Sequence, residues 1–125
     1  MGYTVFRYDG LEFRPPSRGN QSRGLAPLSE AMENMRANIW RLPPGTRGAR
    51  HLEQVQEEMF VVLDGTATML LGDPPERVEL PQGSVAVVET ETALQLRNES
   101  DGETTVLIVG APPETGKAEY LPDVD

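Results

Sequence analysis

The sequence predicts a small all-β domain, an antiparallel sandwich or barrel, and three observations carry that prediction. Its 125 residues fit one domain and leave little room for two. From Met35 onward, strand-like segments recur about every ten residues. Turn signals rich in Gly, Pro and Asp separate them, a rhythm of antiparallel sheets rather than of βαβ units.

Each element has its own local reason. Tyr3 to Tyr8 is rich in β-formers, Asp9-Gly10 suits a turn, and Leu11 to Phe13 can return, so an N-terminal hairpin is expected. Pro15 to Gly24 (PPSRGNQSRG) is polar and lacks an apolar period, which predicts a mobile loop. Ser29 is a candidate cap for a short helical turn over Glu30 to Asn34. Met35 to Leu42 is a strand candidate that Pro43-Pro44-Gly45 ends. Glu58 to Leu63 leads to the turn Asp64-Gly65, and Thr66 to Leu71 stops at Gly72-Asp73-Pro74-Pro75. Arg77 to Leu80, Ser84 to Val88, Ala93 to Asn98 and Thr104 to Val109 complete the set. Continuous apolar runs such as Val85-Ala86-Val87-Val88 fit strands covered on both faces. The tail after Gly110 is Pro-rich and acidic, a surface segment with Tyr120 and Leu121 as docking points. The organisation expected is 1–24, N-terminal hairpin and flexible loop; 25–110, barrel; 111–125, C-terminal tail.

Composition excludes several chemistries. With no cysteine there is no disulfide framework, thiolate metal site or thiol nucleophile. A net charge of −9 argues against non-specific binding to nucleic acid or to an anionic membrane. Met1 to Gly10 lacks a signal-peptide core, and no stretch approaches the roughly 20 apolar residues of a spanning helix. A cytoplasmic location is therefore expected. The excess of arginine over the single lysine, Lys117, fits a GC-rich bacterial source.

One spacing carries chemistry. His51, the only histidine, sits in Gly45-x5-His51-x-Glu53-x4-Glu58-x6-Gly65. The glycines mark turns where φ is unusual. His51 and Glu53 are two apart and share one face of an extended segment. Glu58 opens the next strand, with Phe60 and Val62 on its face. A small barrel can bring the three ionisable groups together in its mouth. An apolar floor behind an acidic mouth is expected.

This spacing resembles the cupin superfamily, in particular small single-domain cupins with a degenerate metal-binding motif. The family's first motif, Gly-x5-His-x-His, three or four residues, Glu-x6-Gly, is matched except that Glu53 replaces the second histidine. Its second motif, Gly-x5-Pro-x-Gly-x2-His-x3-Asn, corresponds to Gly83-x5-Glu89-x-Glu91-x2-Leu94-x3-Asn98, which keeps the first glycine and the asparagine. The resemblance covers about Asn34 to Val109. It implies a double-stranded β-helix, or jelly-roll, barrel and a homodimer, in which hairpins like the N-terminal one pair across subunits. It implies a divalent metal (Mn, Fe, Ni or Zn) as the candidate cofactor, with none certain. His51 and Glu58 match the family's ligands, Glu53 is a substitute ligand, and Leu94 cannot coordinate. One imidazole with two carboxylates is a harder set, which shifts preference toward Mn, Mg or Ca.

Each residue also has a plainer reading. His51 beside the two glutamates forms a structural ion pair or hydrogen-bonded relic in one, and Glu53 and Glu58 are solvated rim carboxylates in another. Trp40 and Phe60 are core or a substrate platform, core being preferred. Arg47 and Arg50 flank His51 and either steer an anion or, the preferred reading, pair with surface carboxylates. The expected pocket comprises Trp40, His51, Glu53, Glu58, Phe60 and Leu94, with His51 and Glu58 the catalytic candidates. Three functions follow, in order: a protein that binds an unidentified small molecule without strong enzymatic activity; a metal-dependent oxygenase or isomerase using His51, Glu53 and Glu58; and a metal-free isomerase or epimerase with His51 as base.

Overall fold

The computed structural model describes residues 2–113 and 117–124. Among these, ten strands form: β1 (Gly24–Pro27), β2 (Arg36–Leu42), β3 (His51–Glu53), β4 (Glu57–Asp64), β5 (Thr66–Leu71), β6 (Glu76–Pro81), β7 (Val85–Val88), β8 (Leu94–Arg97), β9 (Thr104–Ala111) and β10 (Ala118–Tyr120). They make two antiparallel five-stranded sheets, ordered β1-β2-β9-β4-β7 and β10-β3-β8-β5-β6. This is the all-β jelly-roll barrel that the sequence predicts. No described helix is long and apolar enough to cross a membrane.

The core lies between the sheets. Leu42, Phe60, Val62, Val88 and Val106 come from the first sheet and meet Ala67, Met69, Leu80, Leu94 and Leu96 from the second. Side chains alternate along a strand, so Glu58, Phe60 and Val62 of β4 share the buried face while Glu57 and Met59 turn outward. Fully burying each large apolar side chain is worth about 1.5–3 kcal/mol. The inward face of β4 therefore carries its own register, and a slip of one residue would expose it.

A second apolar cluster covers the outer face of the first sheet. Ala37 and Ile39 of β2 pack there with Ala26, Leu28, Leu11, Phe13 and Met32. This explains why β2 carries apolar side chains on both faces, Ala37 and Ile39 on this one and Trp40 and Leu42 on the core side. The same explanation fails for β7. It is an edge strand, and Val85 and Val87 are more than half exposed, so that run is covered on one face only.

The N-terminal hairpin is not formed. Tyr8–Gly10 is a 3-10 turn, closed by Gly10 N donating to Arg7 O, and Tyr3, Val5 and Tyr8 are exposed. Leu11 and Phe13 instead bury themselves on the sheet, and Arg14 exchanges two backbone hydrogen bonds with Leu25. The apolar cluster offers these residues a covered surface that an isolated two-stranded ribbon lacks. Ser29 lies in a 3-10 turn, Ser29–Ala31, and does not cap it. Its hydroxyl bonds to both backbone groups of Ala37 and ties the turn to β2. The tail adds a strand, as β10 pairs with β3 and sets Tyr120 opposite His51.

Two turns required by the first motif take left-handed backbone, at Gly45 and Gly65, with φ of 82° and 79°. A Cβ at Gly65 would stand 2.6 Å from the Glu103 carbonyl, so close approach also requires glycine there.

Candidate functional site

Two sheets contribute to one cavity of about 550 Å³. From the second sheet, β3 directs His51 and Glu53 inward, since they alternate with Leu52. From the first, β4 directs Glu58 inward. The crossing between them is fixed by Gln56, which is fully buried. Its amide donates to Pro112 O at 2.9 Å and its oxygen accepts from Arg36 Nε at 2.9 Å. Gly110 leaves room for it, because a Cβ there would lie 2.9 Å from the Gln56 oxygen.

All six residues expected in the pocket line this cavity: Trp40, His51, Glu53, Glu58, Phe60 and Leu94. One ligand-capable atom from each of His51, Glu53 and Glu58 lies within 4.8 Å of the others. Leu94 is paired with His51 across β3 and β8 and is 2% exposed. The position equivalent to a third histidine thus adjoins His51, filled by an apolar side chain.

Hydrogen bonding fixes the imidazole. His51 Nδ1 lies 3.1 Å from Ala49 O, a carbonyl that can only accept, so Nδ1 carries the proton. Nε2 then faces Glu53 Oε2 at 3.2 Å. A bare lone pair against a carboxylate is unfavourable, so this contact calls for a proton or a cation between the two atoms. Glu58 makes the same demand. It is buried, Oε2 has only a 3.4 Å contact with Arg36 Nη2, and Oε1 has no hydrogen-bond partner among the described residues. Burial pushes the Glu58 carboxyl above its ordinary value, and the Glu53 charge adds to this, while Arg36 and His51 oppose it. Arg36 leaves Glu58 only partly answered, and the donor set of one imidazole and two carboxylates fits a hard divalent cation.

The charge around the cavity differs from the acidic mouth expected. Glu53 and Glu58 line it as buried side chains rather than at an exposed rim. Arg18 and Arg23, from the segment read as a mobile loop, line it together with Arg36 and Arg47, and Arg18 and Arg47 are exposed. That segment is a wall of the site, held by Gln21 Nε2 donating to Pro16 O and by Arg23 donating to Asn20 O and Arg18 O. The local pattern gave no apolar signal; two arginines spaced through a polar run of an acidic chain were the available one. Arg47 pairs with Asp123 at 2.8 Å, and buried Arg50 contacts Asp73 and Pro122 O, which agrees with ion pairing rather than steering. Tyr120 is exposed, as the sequence predicts for the tail, and it also lines the cavity, its ring 6.1 Å from the His51 ring, centroid to centroid.

The Cupin domain family matches residues 38–110. No curated protein is significantly similar in sequence. Solved structures share the fold at low identity. An uncharacterized conserved protein with a double-stranded beta-helix domain from Klebsiella pneumoniae is 18% identical, with a TM-score of 0.78 over 97% of this chain and 99% of that one. A sugar phosphate isomerase of a cupin superfamily from Silicibacter pomeroyi is 18% identical, with a TM-score of 0.76 over 96% and 93%. The polyketide cyclase RemF from Streptomyces resistomycificus is 13% identical, with a TM-score of 0.82 over 98% and 88%.

Proposed function

The chain belongs to the cupin domain family, and on that premise we propose that it binds a small molecule beside a reduced divalent-cation site made by His51, Glu53 and Glu58. The observation that carries this reading is the buried Glu58 carboxylate, whose Oε1 has no partner among the described residues while His51 Nε2 and Glu53 converge on the same space. A cation there satisfies all three groups at once. His51 Nε2 is the neutral donor, oriented by the Ala49 carbonyl. Leu94 withholds a fourth protein ligand, so affinity is lower than for a three-histidine site, and the role favoured is ligand binding rather than strong catalysis.

The raised proton affinity of Glu58 supports a second reading, in which the cation is a proton. Glu58 is then a general acid and His51 its partner in a metal-free isomerisation. Metal analysis of untagged protein, with thermal melts in Mn(II) or Mg(II), separates the two. Melting that rises with metal in the native chain, but not in Glu58→Gln, is the expected result. No response to metal at millimolar concentration would overturn the first reading in favour of the second.

A further inference from the structure

The arginines of the cavity are not equivalent. Arg36 is engaged by Glu58 and Gln56, and Arg47 by Asp123. Arg23 has no carboxylate within ion-pair distance among the described residues, in a chain with 20 acidic and 11 basic side chains. Its guanidinium lies 4.8 Å from the Trp40 ring and donates only to two backbone carbonyls, those of Asn20 and Arg18. It is half-buried, and this desolvation lowers its hold on its proton. A partly desolvated, unneutralised guanidinium on a cavity wall is costly unless an anion answers it.

Burial separates the charged groups that line the cavity. The carboxylates of Glu53 and Glu58 are buried, as are the apolar Phe60 and Leu94, whereas Arg23 is half-buried and Arg18 exposed. The two charges are opposite and differ in exposure. We propose that the cavity takes a small amphiphilic organic anion, whose carboxylate or phosphate sits on Arg23 and whose less polar body extends toward His51. This deepens, and rests on, the reading of the cavity as a ligand site. The guanidinium fork suits either oxyanion, since it offers parallel N–H donors. In the absence of a cation, an anion placed against Glu53 and Glu58 would meet their charge, which sets the polarity of binding.

The test uses the full chain in EDTA, titrated with benzoate, phenyl phosphate and benzyl alcohol. Trp40 is the single tryptophan, so its fluorescence reports the cavity, and calorimetry supplies a second readout. At least one anion should bind tenfold or more tightly than benzyl alcohol. Preference for phenyl phosphate assigns a phosphate ligand, and preference for benzoate a carboxylate. Arg23→Gln should remove most of the anion's advantage while benzyl alcohol binding is kept, which shows that the cavity is intact. Arg23→Lys should restore part of it. Equal binding of benzyl alcohol and both anions, or anion binding indifferent to Arg23→Gln, would overturn the proposal. A parallel Mn(II) titration keeps the two ideas apart. An Mn(II) response that Glu58→Gln abolishes, beside anion binding indifferent to Arg23, sinks the anion site alone. Anion binding that depends on Arg23, with no Mn(II) response, sinks the cation site alone.

Discussion

Replacing Glu58 by glutamine should stabilise the protein at neutral pH in the absence of metal. The native carboxylate is 4% exposed, its Oε1 has no partner among the described residues, and its one ion-pair partner, Arg36, is at 3.4 Å. An unsatisfied buried polar atom costs about 1–3 kcal/mol, and more when ionised. Glutamine keeps the shape, removes the charge and provides an amide that can donate to Glu53. The expected gain is about 1–2 kcal/mol at pH 7.5, roughly 4–8 °C in melting temperature for a domain of this size. The pH dependence identifies the cause. Because the folded carboxyl is raised above its ordinary value of 4.5, the native state holds the proton more tightly than the unfolded chain. Stability of the native protein then falls as pH rises from that ordinary value through the folded one. Melts in EDTA from pH 4 to 8 should show the two proteins close together at pH 4 and diverging above it. A glutamine variant less stable at every pH, or a gap constant across the range, would refute the argument that an ionised, unanswered Glu58 sits in the core.

Two further outcomes are expected. The double variant Glu53→His, Leu94→His should lose about 1–3 kcal/mol without metal, because a polar ring replaces buried leucine beside His51. It should regain about 2.7 kcal/mol with Ni(II) at 100 times the dissociation constant, read as a metal-dependent melting rise larger than in either single variant. Glu91 has φ of 65° at the position where the family's turn has glycine, so Glu91→Gly should stabilise by about 0.5–1.5 kcal/mol in urea unfolding, provided the Glu91 N to Glu53 O hydrogen bond persists.

The sequence by itself determined the strand rhythm and the inward face of β4, because period-two burial and turn chemistry are local properties. It also determined that His51, Glu53 and Glu58 are the ionisable groups of one motif, and it aligned Leu94 with a missing ligand. The register then set Leu94 directly opposite His51. Asn98, the other residue kept from the second motif, is buried and donates to Leu42 O and Gly102 O, so what the motif retained there is a structural clamp. Only the tertiary structure decided the rest. Tyr3 to Phe13 has the local pattern of a hairpin, but the outer face of β2 offers Leu11 and Phe13 a better burial than a ribbon could. Val85 and Val87 read as buried because an apolar run does not reveal that its strand lies at an edge. Arg23 and Tyr120 enter the site from segments 28 residues before His51 and 69 after it. No local periodicity encodes such contacts, because they are made when the folded sheets bring distant segments to one cavity.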